Sequence, residues 1–234
     1  MIYILLINCL LLLFFRKYKV LYLSYLGFAA GIFASRTLAR KMIALTNVYE
    51  VIMFVIIVLL IINFKRLVKG EEPYNPWYLV LVQGSLLLPF INKEISIISD
   101  SLRTPLLPVH VGLTMLGLVY FIIAGGASVR FLIKPEGIPF PNVHRLVKIG
   151  YYLWITGAIL IGMVYAELSW GRFWSWDVKE TWSLVVALYY GFYFYQSKLR
   201  SDKVKAVLVI LGLALIVFNF FGVNYLFNGL HTYG

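Results

Sequence analysis

Long apolar stretches alternate with short polar breaks along this chain, and the breaks carry nearly all of the charge. Eight stretches stand out, at about 2–15, 20–35, 48–63, 77–91, 108–132, 146–168, 181–197 and 206–227. A helix needs about 20 apolar residues to cross a hydrocarbon core about 30 Å thick, and fewer at the short end of the range. The pattern therefore predicts an all-α, polytopic transmembrane bundle of about eight spans. The first stretch is short and the second contains Gly27 and Gly31, so these two depart most from an ideal span. The first also lacks a basic region ahead of its apolar run, which reads as a retained span rather than a cleaved signal peptide.

Composition leads to the same class. The chain is 62% hydrophobic and only 13% charged, a balance that excludes an ordinary soluble domain of 234 residues. Charge placement then orients the spans. With the N-terminus outside, the cytoplasmic connections hold Arg16, Lys17 and Lys19, then Lys65, Arg66 and Lys69, then Arg130, Lys134, Arg145 and Lys148, and finally Lys198, Arg200, Lys203 and Lys205. The outer segments hold Arg36, Arg40, Lys41, Lys93, Arg103, Arg172 and Lys179, half as many. That bias follows the positive-inside rule and puts both termini on the extracytoplasmic side. The net charge of +11 is thus mostly cytoplasmic anchoring charge against the lipid bilayer, and calls for no nucleic-acid partner.

Cys9 is the single cysteine, which excludes an internal disulfide framework and any Cys-x-x-Cys site. It reads as a small packing residue inside an apolar span. The longest polar stretches, around 65–76 and 91–105, are ordinary connections, with a short interfacial helix expected over 94–102. The expected organisation is one membrane domain over residues 1–234.

The outer segment over 169–180 has a different character. Trp170-Gly171-Arg172-Phe173-Trp174-Ser175-Trp176-Asp177 places three tryptophans within seven residues, and Val178-Lys179-Glu180-Thr181-Trp182 follows directly. Tryptophans gather at membrane interfaces in any case, so an aromatic belt would account for one of them. An ordered string of flat, apolar rings with one donor edge each suits a flat, amphipathic ligand. The three histidines sharpen this reading. His110 stands at the outer start of the fifth span and His231 follows the eighth, so both lie on the face of the tryptophan loop, whereas His144 lies on the cytoplasmic side beside Arg145. One interfacial histidine is usually structural, but two on the face that carries three indoles fit axial ligation of haem iron. His144 reads as structural.

The string W-G-x-x-W-x-W-D followed by K-E-T-W resembles the tryptophan-rich signature of the haem-handling membrane proteins of cytochrome c maturation. It is most similar to the CcsA (ResC-type) subunits of the System II cytochrome c synthase, and the continuation Lys179-Glu180-Thr181-Trp182-Ser183-Leu184 favours that branch. Val178 stands where the family usually has proline. The resemblance runs from about residue 45 to the C-terminus. It implies haem b as cargo, with His110 and His231 as the iron ligands and Trp170, Gly171, Trp174 and Trp176 forming the external surface. It also implies a CcsB (ResB)-type partner and apocytochrome c as the recipient. The implied chemistry joins the haem vinyl groups to the thiols of a Cys-x-x-Cys-His motif, and holding the ring in one pose makes that encounter nearly unimolecular. The chain would then be the haem-presenting subunit of a synthase complex. A bacterial cytoplasmic membrane, with the haem site on the periplasmic face, is the expected location.

Some residues carry two readings. Asp177 and Glu180 form the Asp-x-x-Glu pattern of a capping box at the start of the seventh span. Asp177 also belongs to the tryptophan signature, and Arg172 or Lys179 could pair with a haem propionate. Glu50, in Asn47-Val48-Tyr49-Glu50, resembles the family's N-x-Y-E signature and sits where Asn47 would cap the third span. Related proteins usually carry a histidine near the cytoplasmic end of the span after the tryptophan loop, whereas the matching stretch here, 191–198, has none. Tyr193 and Tyr195 in that stretch read as lipid-facing. A System I haem-delivery protein, and a transporter or assembly scaffold without haem, are the competing functions.

Overall fold

The computed structural model describes residues 19–69, 103–135 and 139–227. The chain divides into two compact units, Met1–Ile98 and Ser99–Gly234. Among the described residues every regular element is helical.

In the first unit α1 (Lys19–Arg40) packs against α2 (Val48–Val68). Gly27 and Gly31 do not interrupt α1, which extends beyond the apolar stretch at both ends. Asn47 caps α2, its side-chain Oδ1 accepting the Glu50 N–H at 2.9 Å. The expected spans at 2–15 and 77–91, and the expected short helix at 94–102, lie outside the described residues.

The second unit holds four rods. α3 is Leu106–Ile133 and α5 is Val178–Gln196. α4 runs Phe140–Trp170 and contains a π-helical segment at Ile155–Ile161. α6 starts as Asp202–Val217, then passes through a second π-helical segment, Phe218–Gly222, to end at Val223–Leu226. α3 lies against α4 and α6, and α5 packs on α6. The first half of α4 buries Phe140, Val143, Val147, Gly150 and Trp154, a three-and-four spacing that lines one helical face. Outward-pointing Leu160, Leu188 and Leu211 are exposed apolar side chains, as expected of helix faces turned to lipid.

Four described helices are long and apolar enough to cross a membrane: Val48–Arg66, Leu106–Ile133, Phe140–Trp170 and Asp202–Gly222. α1 and α5 are of comparable length but less apolar, with Lys19, Arg36 and Arg40 in one and Lys179, Glu180 and several tyrosines in the other.

α3 and α4 approach closely where the π-helical segment begins. A Cβ on Gly157 would lie 2.6 Å from the Thr114 backbone nitrogen and 2.8 Å from Leu113 Cβ. Only glycine fits there, and close backbone approach through small residues is how helices associate where no hydrophobic force separates protein from lipid.

Candidate haem-binding site

His110 lies in the first turns of α3, and the tryptophan loop joins α4 to α5. The fold brings the two to one end of the second unit. The His110 ring stacks on Tyr165, with centroids 5.5 Å apart and planes 8° from parallel. Tyr165 is in turn met edge-on by Trp170 at 5.7 Å. Tyr165 is 1% exposed, so this three-ring series is anchored from inside the unit.

The imidazole orientation is set by the backbone. His110 Nδ1 lies 2.8 Å from the Gly157 carbonyl oxygen. A carbonyl only accepts, so Nδ1 carries the proton and the neutral ring has its lone pair on Nε2. The same carbonyl also accepts the Gly162 N–H within the π-helical segment. A widened turn of this kind is a frequent device at functional positions in helices. The contact with a backbone carbonyl is the usual second-layer support of a histidine that ligates through its other nitrogen.

The loop has its own internal order. Gly171 ends α4 in the left-handed conformation, φ 70°, and its N–H donates to the Glu167 carbonyl. Trp176 also has positive φ, 56°. For a bulky residue this costs about 1–2 kcal/mol and must be held by its surroundings. Trp176 is 69% exposed, and its indole meets Trp174 edge-on at 6.0 Å. Phe173 and Arg172 are exposed as well. Trp174 points its indole N–H inward, where it is buried and makes no hydrogen bond among the described residues.

The capping box expected from Asp177 and Glu180 is formed. Asp177 caps α5, its side chain accepting the Lys179 N–H at 2.9 Å, while Glu180 Oε2 accepts the Asp177 N–H at 3.3 Å. Glu180 Oε2 also accepts the Ser175 N–H at 2.8 Å and the Ser175 hydroxyl at 3.0 Å, which the cap pattern alone did not indicate. Behind the loop, the Trp154 indole donates to the Ser183 carbonyl at 3.1 Å, and Trp182 packs edge-on against Phe218 at 4.6 Å.

His144 sits near the start of α4, roughly 40 Å of helix from Trp170 at 1.5 Å per residue, and so at the other end of the rod. Its Nδ1 pairs with the Tyr193 hydroxyl at 3.1 Å, and Phe194 meets it edge-on. This corrects the expectation of a lipid-facing Tyr193. The residue is fully buried, because Val186, Ala187, Tyr190 and Tyr193 share the inward face of α5. Tyr195, two residues on, is exposed as expected. His231 lies outside the described residues.

In the first unit, Glu50 is 0% exposed and gathers four donors. Its Oε1 accepts from Arg36 Nε at 3.0 Å and Arg40 Nε at 2.9 Å. Its Oε2 accepts from the Thr46 N–H at 3.0 Å and the Thr46 hydroxyl at 2.8 Å. The Arg36 guanidinium also lies over the Tyr49 ring at 5.0 Å. Glu50 thus ties the end of α1, the connecting turn and the start of α2 together. Arg36 and Arg40, four apart and hence on one helical face, were the available sequence signal for this pairing. Tyr165 and Gly157 had no comparable signal.

These features define an integral membrane protein of bundled helices, with a histidine and a tryptophan-rich loop gathered at one end. The chain belongs to the cytochrome c assembly protein family, which matches residues 14–231. It is 38% identical over 112 residues to the cytochrome c biogenesis protein CcsA of Synechococcus sp. (strain JA-3-3Ab), covering 43% of this chain and 32% of that protein. It is 28% identical over 214 residues to CcsA of Chlamydomonas reinhardtii, covering 81% and 60%. CcsA of Pyropia yezoensis is 25% identical over 261 residues, covering 86% and 82%. The match spans about a third of the length of the Synechococcus relative and three-fifths of the Chlamydomonas one. These relatives bear out the CcsA-type resemblance drawn from the tryptophan string.

Proposed function

We propose that this chain acts in cytochrome c biogenesis by holding haem b at the tryptophan-loop end of its second unit and presenting it to apocytochrome c. The observation that carries the reading is the His110–Gly157 hydrogen bond. It fixes the imidazole in the tautomer whose Nε2 can bind iron, at the end of the unit that displays Trp170, Trp174 and Trp176. The surrounding chemistry fits the cargo. Indole faces suit the porphyrin plane, the buried Trp174 N–H has no acceptor among the described residues, and the exposed Arg172 suits a propionate. His231 is the second iron ligand in this reading.

The chain's work in the reaction is positioning. Two histidines hold the iron, the indoles restrict the ring to one pose, and a vinyl edge is left open to the arriving Cys-x-x-Cys-His thiols. Such confinement lowers the entropic part of the barrier without any acid or base from this chain. The histidine of the arriving motif displaces one of the two imidazoles. A CcsB-type subunit completes the synthase, and the loop faces the extracytoplasmic side of a bacterial membrane.

The test is spectroscopic. The purified chain should carry six-coordinate, low-spin haem. His110→Gly should lose that spectrum and lower haem retention, and free imidazole should restore part of both by filling the vacated cavity. His144→Ala should retain the wild-type spectrum. Normal haem content and normal cytochrome maturation in a His110→Ala, His231→Ala double variant would overturn the assignment.

A further inference from the structure

We propose that Glu180 is a positioning residue of the tryptophan loop, holding the turn at 175–177 from inside so that the Trp176 indole stays outward. The proposal rests on reading this loop as the haem-binding surface. A capping box asks one thing of its N3 glutamate, a hydrogen bond to the N-cap N–H. Here that bond, from Asp177, is the longest of the three that Glu180 Oε2 accepts, at 3.3 Å. The two shorter ones, 2.8 Å and 3.0 Å, both come from Ser175 and serve no capping purpose.

The donors bracket Trp176. One carboxylate oxygen fixes the residue before it and the residue after it, and between them Trp176 takes its positive φ of 56°. Tryptophan has no intrinsic reason to occupy that region, and flanking anchors are what keep a residue there. Trp176 is 69% exposed there, with its ring beside Trp174. The N-terminal turn of α5 favours a negative charge at this position. Glutamine is a poor replacement. Its carbonyl is a neutral acceptor for the same three donors, and its amide would fall where buried Oε1 makes no hydrogen bond among the described residues.

Two measurements on the full chain in detergent test this. With 5-fluorotryptophan incorporated, the Trp176 resonance is identified by its loss in Trp176→Phe, and its H2O-to-D2O shift reports exposure. Wild type should give one exposed Trp176 line. Glu180→Ala should move or split that line while the lines of Trp154 and Trp182 stay in place, and Glu180→Gln should show a smaller displacement. In haem titrations, Glu180→Ala should weaken uptake several-fold and Glu180→Gln less, with the low-spin signature of His110 ligation retained.

An unmoved Trp176 line in Glu180→Ala overturns the clamp. A moved line with unchanged haem affinity overturns its positioning role for the ligand. Movement of the Trp154 and Trp182 lines as well would mean that Glu180 supports the whole unit, which also overturns it. A wild-type chain that takes up no haem overturns the proposed function, while the Trp176 line still decides whether Glu180 holds the loop.

Discussion

His110 of α3 and Gly157 of α4 are joined through a 2.8 Å hydrogen bond from imidazole Nδ1 to the main-chain carbonyl. The contact depends on Gly157 twice. The missing side chain lets α3 come within reach, and the π-helical turn that starts nearby widens the rod where the carbonyl points. A feature of helix packing thereby fixes the imidazole tautomer, since the carbonyl can only accept the Nδ1 proton.

Gly157→Ala should accordingly damage packing and site together. Its Cβ would meet a backbone nitrogen, which cannot swing aside as a flexible side chain would. Overpacking of this kind costs about 1–3 kcal/mol. The expected result is a lower melting temperature in detergent together with weaker haem retention. A variant with wild-type values for both would show that α3 and α4 do not meet at this point.

Asp177 distinguishes a cap from a charge. Asparagine keeps the oxygen that accepts the Lys179 N–H, whereas alanine removes it, at about 1 kcal/mol for a lost N-cap. Asp177→Asn should therefore be close to wild type in stability and haem uptake, and Asp177→Ala measurably worse. Equal loss in both variants would assign the residue to electrostatics at the ligand instead.

Glu50 should dominate the stability of the first unit. Removing one partner of a buried ion pair typically costs about 3–5 kcal/mol, and Glu50→Ala would remove the carboxylate that Arg36 and Arg40 share. The connecting turn loses its anchor at the same time, so trypsin should cut after Arg40 or Lys41 far faster than in wild type. Unchanged cleavage would mean that the turn is held by other contacts.

The topology is open to direct measurement. Reporters fused after Lys134 and after Lys203 should read cytoplasmic, and one fused at the C-terminus external, because basic residues favour the former connections. The end of α4 that carries His144 and the tryptophan loop should fall on opposite faces. Finding both on one face would remove the basis for placing the haem site outside.

The sequence by itself determined the helical class and the approximate extent of the six long helices among the described residues, four of them long and apolar enough to cross a membrane, because burial in lipid demands long apolar runs that composition reveals directly. It also determined the cap at Asp177, since capping is local chemistry between residues three apart. Tertiary structure alone decided which way each rod turns. Along an apolar helix the lipid and the protein interior look alike, so nothing in hydropathy marks Tyr193 as inward and Tyr195 as outward. The same reason hid the stacking of Tyr165 on His110, forty-seven to fifty-five residues of chain away from any local pattern, and the Gly157 carbonyl beside it. Contacts of that kind exist only once two helices have been set at a particular rotation and depth, and there the close approach permitted by one missing side chain made the choice.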